Sequence, residues 1–344
     1  MTRSSLPSGD RTVPWRTLPY LVLAASLLGL ILSLFFAVSF GAKELTNASV
    51  WQAVTAYDPA LPAHQIIREL RLPRVLGAAL LGAAFAVAGA LMQGVTRNPL
   101  ADPGILGINS GAMLAVALSF AFFPNLPYAG MIALAFGGAV CSTLIIYLLA
   151  SSVPGGLTPL RLTVAGSVVA ALLGSLCEGI AIYYELSQDL AFWYAGGAAG
   201  VKWMHLKLLL PVILAALLFT VPLARSVSLL SLGEETASGL GIRTGRVRVL
   251  AMATAVLLAG ASVSAVGPVG FVGLVVPHMA RKLIGGDYRL ILPLSALLGA
   301  LLLVLADLAA RTVNPPRELA LGVMVAMIGV PFFLYLARQE RSGL

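Results

Sequence analysis

The side chains able to do chemistry are few, and their spacing excludes most of it. No glycine is followed by lysine anywhere in the chain, so the G-x-x-x-x-G-K-[ST] phosphate loop is absent. H-E-x-x-H, C-x-x-C and G-x-S-x-G are absent too. His64, His205 and His278 are scattered singletons, and Cys141 and Cys177 sit inside apolar runs. The sequence therefore predicts no catalytic residue, no metal site and no cofactor. Two acids, Glu178 and Asp307, fall in or near apolar runs. An acid at membrane depth is a functional candidate, often in a proton relay. Asp307 has a second option, an ion pair with Arg311 four residues on, and a proton-driven carrier usually needs more such groups.

Other polar residues gather at three places. "SLGEETASGLGIR" (Ser231–Arg243) lies between two long apolar runs. Ser231 and Glu234 have the S-x-x-E spacing of a capping box, Glu234 and Glu235 suit the positive end of a helix dipole, and Gly241 suits a C-terminal stop. The spacing predicts a helix over 232–240, about 14 Å long and too short to cross a bilayer. Leu232, Ala237 and Leu240 are expected on one apolar face. The reading is a docking element for a partner or a tidy turn between spans. In "GVTRNPLADPG" (Gly94–Gly104), Pro99 and Pro103 forbid a continuous helix, and Asn98 before proline is disposed to an extended conformation. That link is a gate or a stiff loop. "RELRLPR" carries Arg68, Arg71 and Arg74, and Arg311 and Arg317 follow late in the chain. Arginine suits bidentate pairing with a partner's carboxylates or anchoring to lipid phosphate.

The elements that must carry these residues are hydrophobic. Of 344 residues, 59% are hydrophobic and 10% charged, against about 25% charged in soluble domains. The expected fold class is an all-α integral membrane protein of about ten transmembrane helices. The spans fall near 18–40, 75–95, 104–123, 128–150, 162–184, 206–224, 247–266, 269–283, 290–310 and 319–337. The first is too long for a signal-peptide core. The eighth is short and holds Pro277, so it is expected to be broken or half-buried. With the N-terminus inside, the inner segments hold 14 of the 22 basic and 6 of the 14 acidic residues, a net +8, while the rest cancels. This bias puts both ends, and Ser231–Gly241, in the cytoplasm. The domains are then a cytoplasmic tail 1–17, one transmembrane domain 18–338, and a tail 339–344. Residues 41–74 are long and mixed, and the aromatic-rich 185–205 suits a short surface helix. "AGALMQGVTRNPLADPGILGI" and "AGASVSAVGPVGFVGLVVP" echo each other from opposite sides, as in an inverted repeat.

Four stretches together carry a family resemblance: "RLPRVLGAALLGAAFAVAGALMQGVTRNPLADPGILGINSGA", "LGEETASGLGI", "GPVGFVGLVVPHMAR" and "RELALGVMVAMIGVPFFLYLAR". Over residues 18–338, and in the same order, the chain resembles the FecCD-type permeases, membrane subunits of ATP-binding-cassette importers for ferric siderophores, haem and cobalamin. The resemblance implies the type II importer fold in the bacterial cytoplasmic membrane and a non-catalytic subunit. Its implied partners are two cytoplasmic ATPase subunits, an extracytoplasmic binding protein and a second permease subunit, identical or paralogous. It implies that the ATPase-coupling helix falls on Ser231, Leu232, Glu234, Glu235, Ala237, Leu240 and Gly241. Docking arginines, which accept glutamates from the binding protein, match Arg71, Arg74 and Arg311. One inner gate matches Asn98 and Leu100, the other Thr158, Pro159 and Leu160. The chain departs at Pro159 and Leu160, where cobalamin permeases of the family have small hydroxyl residues; a Pro-Leu gate is stiffer and more apolar. The expected cargo is a ferric siderophore, with haem or cobalamin as alternatives, and a proton-coupled carrier using Glu178 and Asp307 as a competing class.

Overall fold

A computed structural model describes residues 17–41, 46–152, 158–315 and 317–341. The predicted tail 1–17 thus lies almost wholly outside the described residues, as do residues 342–344. The described chain is helical throughout. First comes α1 (Leu18–Ser39), then the short α2 (Asn47–Thr55) and α3 (Pro62–Gln65). A π-helical turn over Ile66–Arg71 leads into α4 (Leu72–Thr96). After a 3-10 turn at Pro103–Leu106 follow α5 (Ile108–Phe122), α6 (Tyr128–Ser151), α7 (Pro159–Tyr183) and the short α8 (Ser187–Ala195). The remainder is α9 (Trp203–Ser231), α10 (Glu234–Gly239), α11 (Thr244–Val266), α12 (Val272–Ile284), α13 (Tyr288–Thr312) and α14 (Leu321–Arg341). Seven of these are long and apolar enough to cross a membrane; α5 and Leu321–Leu334 of α14 are shorter apolar helices, and α12 has 13 residues. The ten predicted spans match these ten helices in order. The shorter α2, α3, α8 and α10 sit between them, with α2, α3 and α8 on one face and α10 on the other. The aromatic-rich 185–205 stretch becomes α8, as its composition suggests.

Local chemistry sets the boundaries. Proline stands in the first turn of α1, α3, α4 and α7, where its missing N–H costs nothing. Thr158 caps α7 by accepting from the Arg161 N–H, and Asp287 caps α13 by accepting from the Arg289 N–H. Pro99 and Pro103 stop α4 as expected, and Arg97 ends it in the left-handed region at φ 54°.

α4 is the central helix, packed against α1, α9, α11, α12 and α13. Its glycines make that possible. A Cβ on Gly82 would overlap the Gly299 carbonyl of α13, and one on Gly89 would overlap Gly273 of α12. Gly111 of α5 and Gly138 of α6 exclude each other's Cβ in the same way. Lipid provides no hydrophobic drive between helices, so close backbone approach carries the association.

The two echoing stretches adopt one design in opposite directions. Each is a long helix, a break, then a short helix: α4 to α5, and α11 to α12. Gln93 of α4 donates to the carbonyls of Gly273 and Leu274 in the first turn of α12, at 3.3 and 3.1 Å; Pro277, four residues after Gly273, has no N–H to offer that carbonyl. A Cβ on Gly273 would lie 3.3 Å from Cδ of Pro103, so the two breaks meet inside the protein. Irregular backbone is tolerated at membrane depth only where protein buries it or a cavity faces it.

Gly82→Ala, Gly89→Ala and Gly299→Ala are each expected to lower thermal stability of the purified chain by an overpacking cost of about 1–3 kcal/mol. Gly137→Ala, whose Cβ meets nothing within 4 Å, should leave the midpoint unchanged. Equal midpoints for all four would refute the close-packing assignment.

Candidate functional site

The polar piece between α9 and α11 differs from its predicted form. Ser231 is the last residue of α9, and its hydroxyl donates to the Ser228 carbonyl at 2.7 Å. No capping box forms; Gly233 at φ 134° turns the chain, and α10 covers only Glu234–Gly239. Glu234 instead reaches sideways to α11. Arg248 Nη2 donates to its Oε2 at 3.0 Å, and the Thr244 hydroxyl donates to its Oε1 at 3.2 Å. The Arg248 hydrogen bond and charge hold the Glu234 carboxyl below its ordinary pKa. The C-terminal stop is as expected. Gly241 sits at φ 80°, its N–H donates to the Ser238 carbonyl, and the Ile242 N–H donates to the Ala237 carbonyl. These two bonds are the Schellman pattern.

The predicted apolar face does not exist as one surface. Ala237 is fully buried, whereas Leu232 and Leu240 are 70% and 61% exposed. Only Ala237 of the three lies within the six-residue helix, and it takes the inner side that seats α10 on the bundle; Leu232 and Leu240 flank the helix. Leu232, Glu235 and Leu240 face outward.

The links on the same face hold the other predicted residues. Asn98 is exposed, and its Oδ1 accepts from the Leu100 N–H at 2.9 Å, which locks the turn. Leu100 and Leu160 are both exposed. Pro159 opens α7 directly after the Thr158 cap. The 3-10 turn of the first link packs on α7, where Gly166 leaves room for the Ile105 carbonyl.

At the opposite face the arginines turn inward. Arg71 is 7% exposed, and its Nη1 donates to the carbonyls of Val38 and Ser39, both at 2.8 Å. Arg311 is 4% exposed; its Nη2 donates to the Ala37 carbonyl at 3.0 Å, and its Nε pairs with Asp307 at 3.1 Å. Two guanidiniums thus fill the orphan acceptors at the C-terminus of α1. Arg74 bridges two acids, Asp307 at 2.9 Å and Glu318 at 2.9 Å. Asp307 therefore makes the i,i+4 pair with Arg311 and a second pair with Arg74. A cavity of about 610 Å³ adjoins this cluster, with Arg74, Asp307 and Glu318 in its wall beside Tyr128, Trp193 and the Gly196–Gly197 turn. Glu178 is exposed on α7, five residues from its end, apart from the cluster.

Several functional candidates are visible only in three dimensions. Arg281 Nη2 donates to Gln93 Oε1 at 3.0 Å and to the Tyr288 hydroxyl at 3.3 Å, tying α12 to α4 and α13. In the sequence Arg281 is one basic residue among many and Gln93 a lone amide in an apolar run. Glu318, Thr244 and Arg248 carry no spacing signal either. Among the described residues no group of three or more His, Cys, Asp or Glu is arranged to hold a metal ion.

Comparison with known proteins agrees with this architecture. The chain is 46% identical over 343 residues to the iron(3+)-hydroxamate import system permease protein FhuB of Bacillus subtilis (strain 168), covering 99% of this chain and 89% of that one. It is 39% identical to the ferric enterobactin transport system permease protein FepD of Escherichia coli (strain K12), covering 92% and 95%. A solved inward-facing structure of a metal-chelate type ABC transporter superposes with a TM-score of 0.83 at 27% identity, over 93% of this chain and 99% of that one. The sequence pattern of the FecCD transport family matches residues 29–339. Over nearly its whole length, the chain belongs to the FecCD transport family of multi-pass membrane permeases.

Proposed function

We propose that the chain is the membrane subunit of an ATP-driven importer that carries a ferric siderophore across the bacterial cytoplasmic membrane. The observation that carries the reading is α10: a short helix seated by Ala237, tied to α11 through Glu234, with Glu235 and the flanking Leu232 and Leu240 facing outward. The chain has no phosphate loop of its own, so hydrolysis belongs to a separate ATPase that engages this surface. Charge bias supports a cytoplasmic position for this face and both chain ends. The ferric cargo is supported by relatives whose names specify iron(3+)-hydroxamate and ferric enterobactin. A second permease subunit is supported by α7, which buries little of its surface and exposes Glu178, an acid ill suited to lipid.

Movement of α10 passes into α11 through Glu234 and Arg248, and into α9 through the Gly233 turn. Asn98, Leu100, Thr158, Pro159 and Leu160 on the same face form the inner gate. An extracytoplasmic binding protein docks at the α8 face. Arg74 pairs with a half-exposed acid, Glu318, that a docking carboxylate can replace. Arg71 and Arg311 serve docking from behind, by fixing the end of α1. Asp307 is engaged by both Arg74 and Arg311, so its ion pairs account for an acid at this depth without a carrier role.

Three outcomes test this reading. Leu232→Asp with Leu240→Asp should abolish co-purification of the partner ATPase while membrane insertion stays normal; undiminished co-purification would reject the α10 assignment. Arg74→Ala should weaken capture of the ferric-loaded binding protein, more so at low salt where screening is least, and Glu318→Ala should tighten it; capture unaffected by either rules out docking at this cluster. Uptake of radioactive ferric hydroxamate should need the ATPase partner. Uptake driven by a proton gradient alone would overturn the importer class, and ATP-dependent uptake of haem or cobalamin instead would overturn the cargo.

A further inference from the structure

A second cavity, of about 380 Å³, lies between α9 and α13, away from α10 and the arginine cluster. Its walls are apolar: Leu217 and Val221 on α9, Leu292 and Pro293 on α13. Its end nearer the α10 face carries Arg225 and Arg289, both exposed. Among the described residues neither guanidinium makes a hydrogen bond or ion pair. The neighbouring acid, Asp287, is already engaged by the Ser228 hydroxyl and the Arg289 N–H at 3.1 and 2.9 Å.

Depth specifies what such a groove meets. Arg225 stands 22 residues beyond Trp203, the first residue of α9, a rise of about 33 Å. The hydrocarbon layer is about 30 Å thick, so a helix entering at Trp203 brings Arg225 to the opposite headgroup level. The groove from Leu217 to Arg225 then runs about 12 Å into the acyl region. An occupant must offer a hydrocarbon chain to the walls and an anion to the two arginines. We propose that this groove is a binding site for an anionic phospholipid, with the phosphate between Arg225 and Arg289 and an acyl chain along Leu217, Val221, Leu292 and Pro293. Basic residues lining pockets between transmembrane helices recognise such headgroups by charge, and a zwitterionic lipid offers them no net charge.

The test is native mass spectrometry of the full chain in detergent, titrated with phosphatidylglycerol or phosphatidylethanolamine. The intact chain should retain phosphatidylglycerol roughly thirtyfold more strongly, the effect of two basic residues facing an anionic headgroup. Arg225→Gln with Arg289→Gln should erase the preference, whereas the charge-matched control Arg243→Gln with Arg246→Gln should keep it. Val221→Trp, which fills the groove and leaves both charges, should weaken retention of both lipids. Equal retention of the two lipids by the intact chain overturns the proposal. A preference surviving the double variant, or retention of both lipids unmoved by Val221→Trp, places the lipid elsewhere and overturns the site. Displacement by millimolar inorganic phosphate would identify a small-anion site and overturn the lipid.

Discussion

Everything in this fold leans on how closely the α4 backbone can approach its neighbours. Gly82 meets Gly299 and Gly89 meets Gly273 with no room for a methyl group. In lipid there is no water to expel between helices, so dispersion at short range and shared polar groups must hold the bundle. The close approach at Gly89 also lets Gln93, one turn on, reach two carbonyls in the first turn of α12. That amide in turn receives Arg281. A steric permission written in glycine thus leads to a polar junction at the heart of the protein.

Much of this was legible in the sequence. Apolar runs located ten helices of the bundle, seven of them long enough to cross, because the length of a span is fixed by the bilayer. Proline located the break after α4, and Gly241 located the end of α10, because both act through local backbone geometry. The S-x-x-E spacing misled for an instructive reason. A capping box is a local option for Glu234, and Arg248 offered a stronger, charged partner from the next helix. A spacing rule cannot see a competitor that arrives through tertiary structure. Ala237 shows the same limit: in sequence it is one of three apolar residues, and only packing decides which of them faces inward.

The arginines on the α8 face carry a related lesson. Basic residues on the side the charge rule disfavours suggest an external partner, and the resemblance to transport permeases strengthens that expectation. In the folded chain Arg71 and Arg311 spend their hydrogen bonds on the carbonyls that end α1. A guanidinium has five donors, so one residue can close several orphan acceptors where a shorter side chain closes one. Arg74 differs in pairing with an acid, Glu318, that reaches solvent.

The bond between Arg74 and Asp307 spans 233 residues of chain. It cannot form until the ribosome has delivered Asp307. At about 5–20 residues per second, Arg74 waits roughly 12–47 s after its own synthesis. Arg311 follows four residues later and completes the closure of α1. The end of α1, held on one side by Arg71, is therefore fastened on the other only late, and during that interval the growing chain depends on the headgroup region, or on the insertion machinery, to accommodate Arg74.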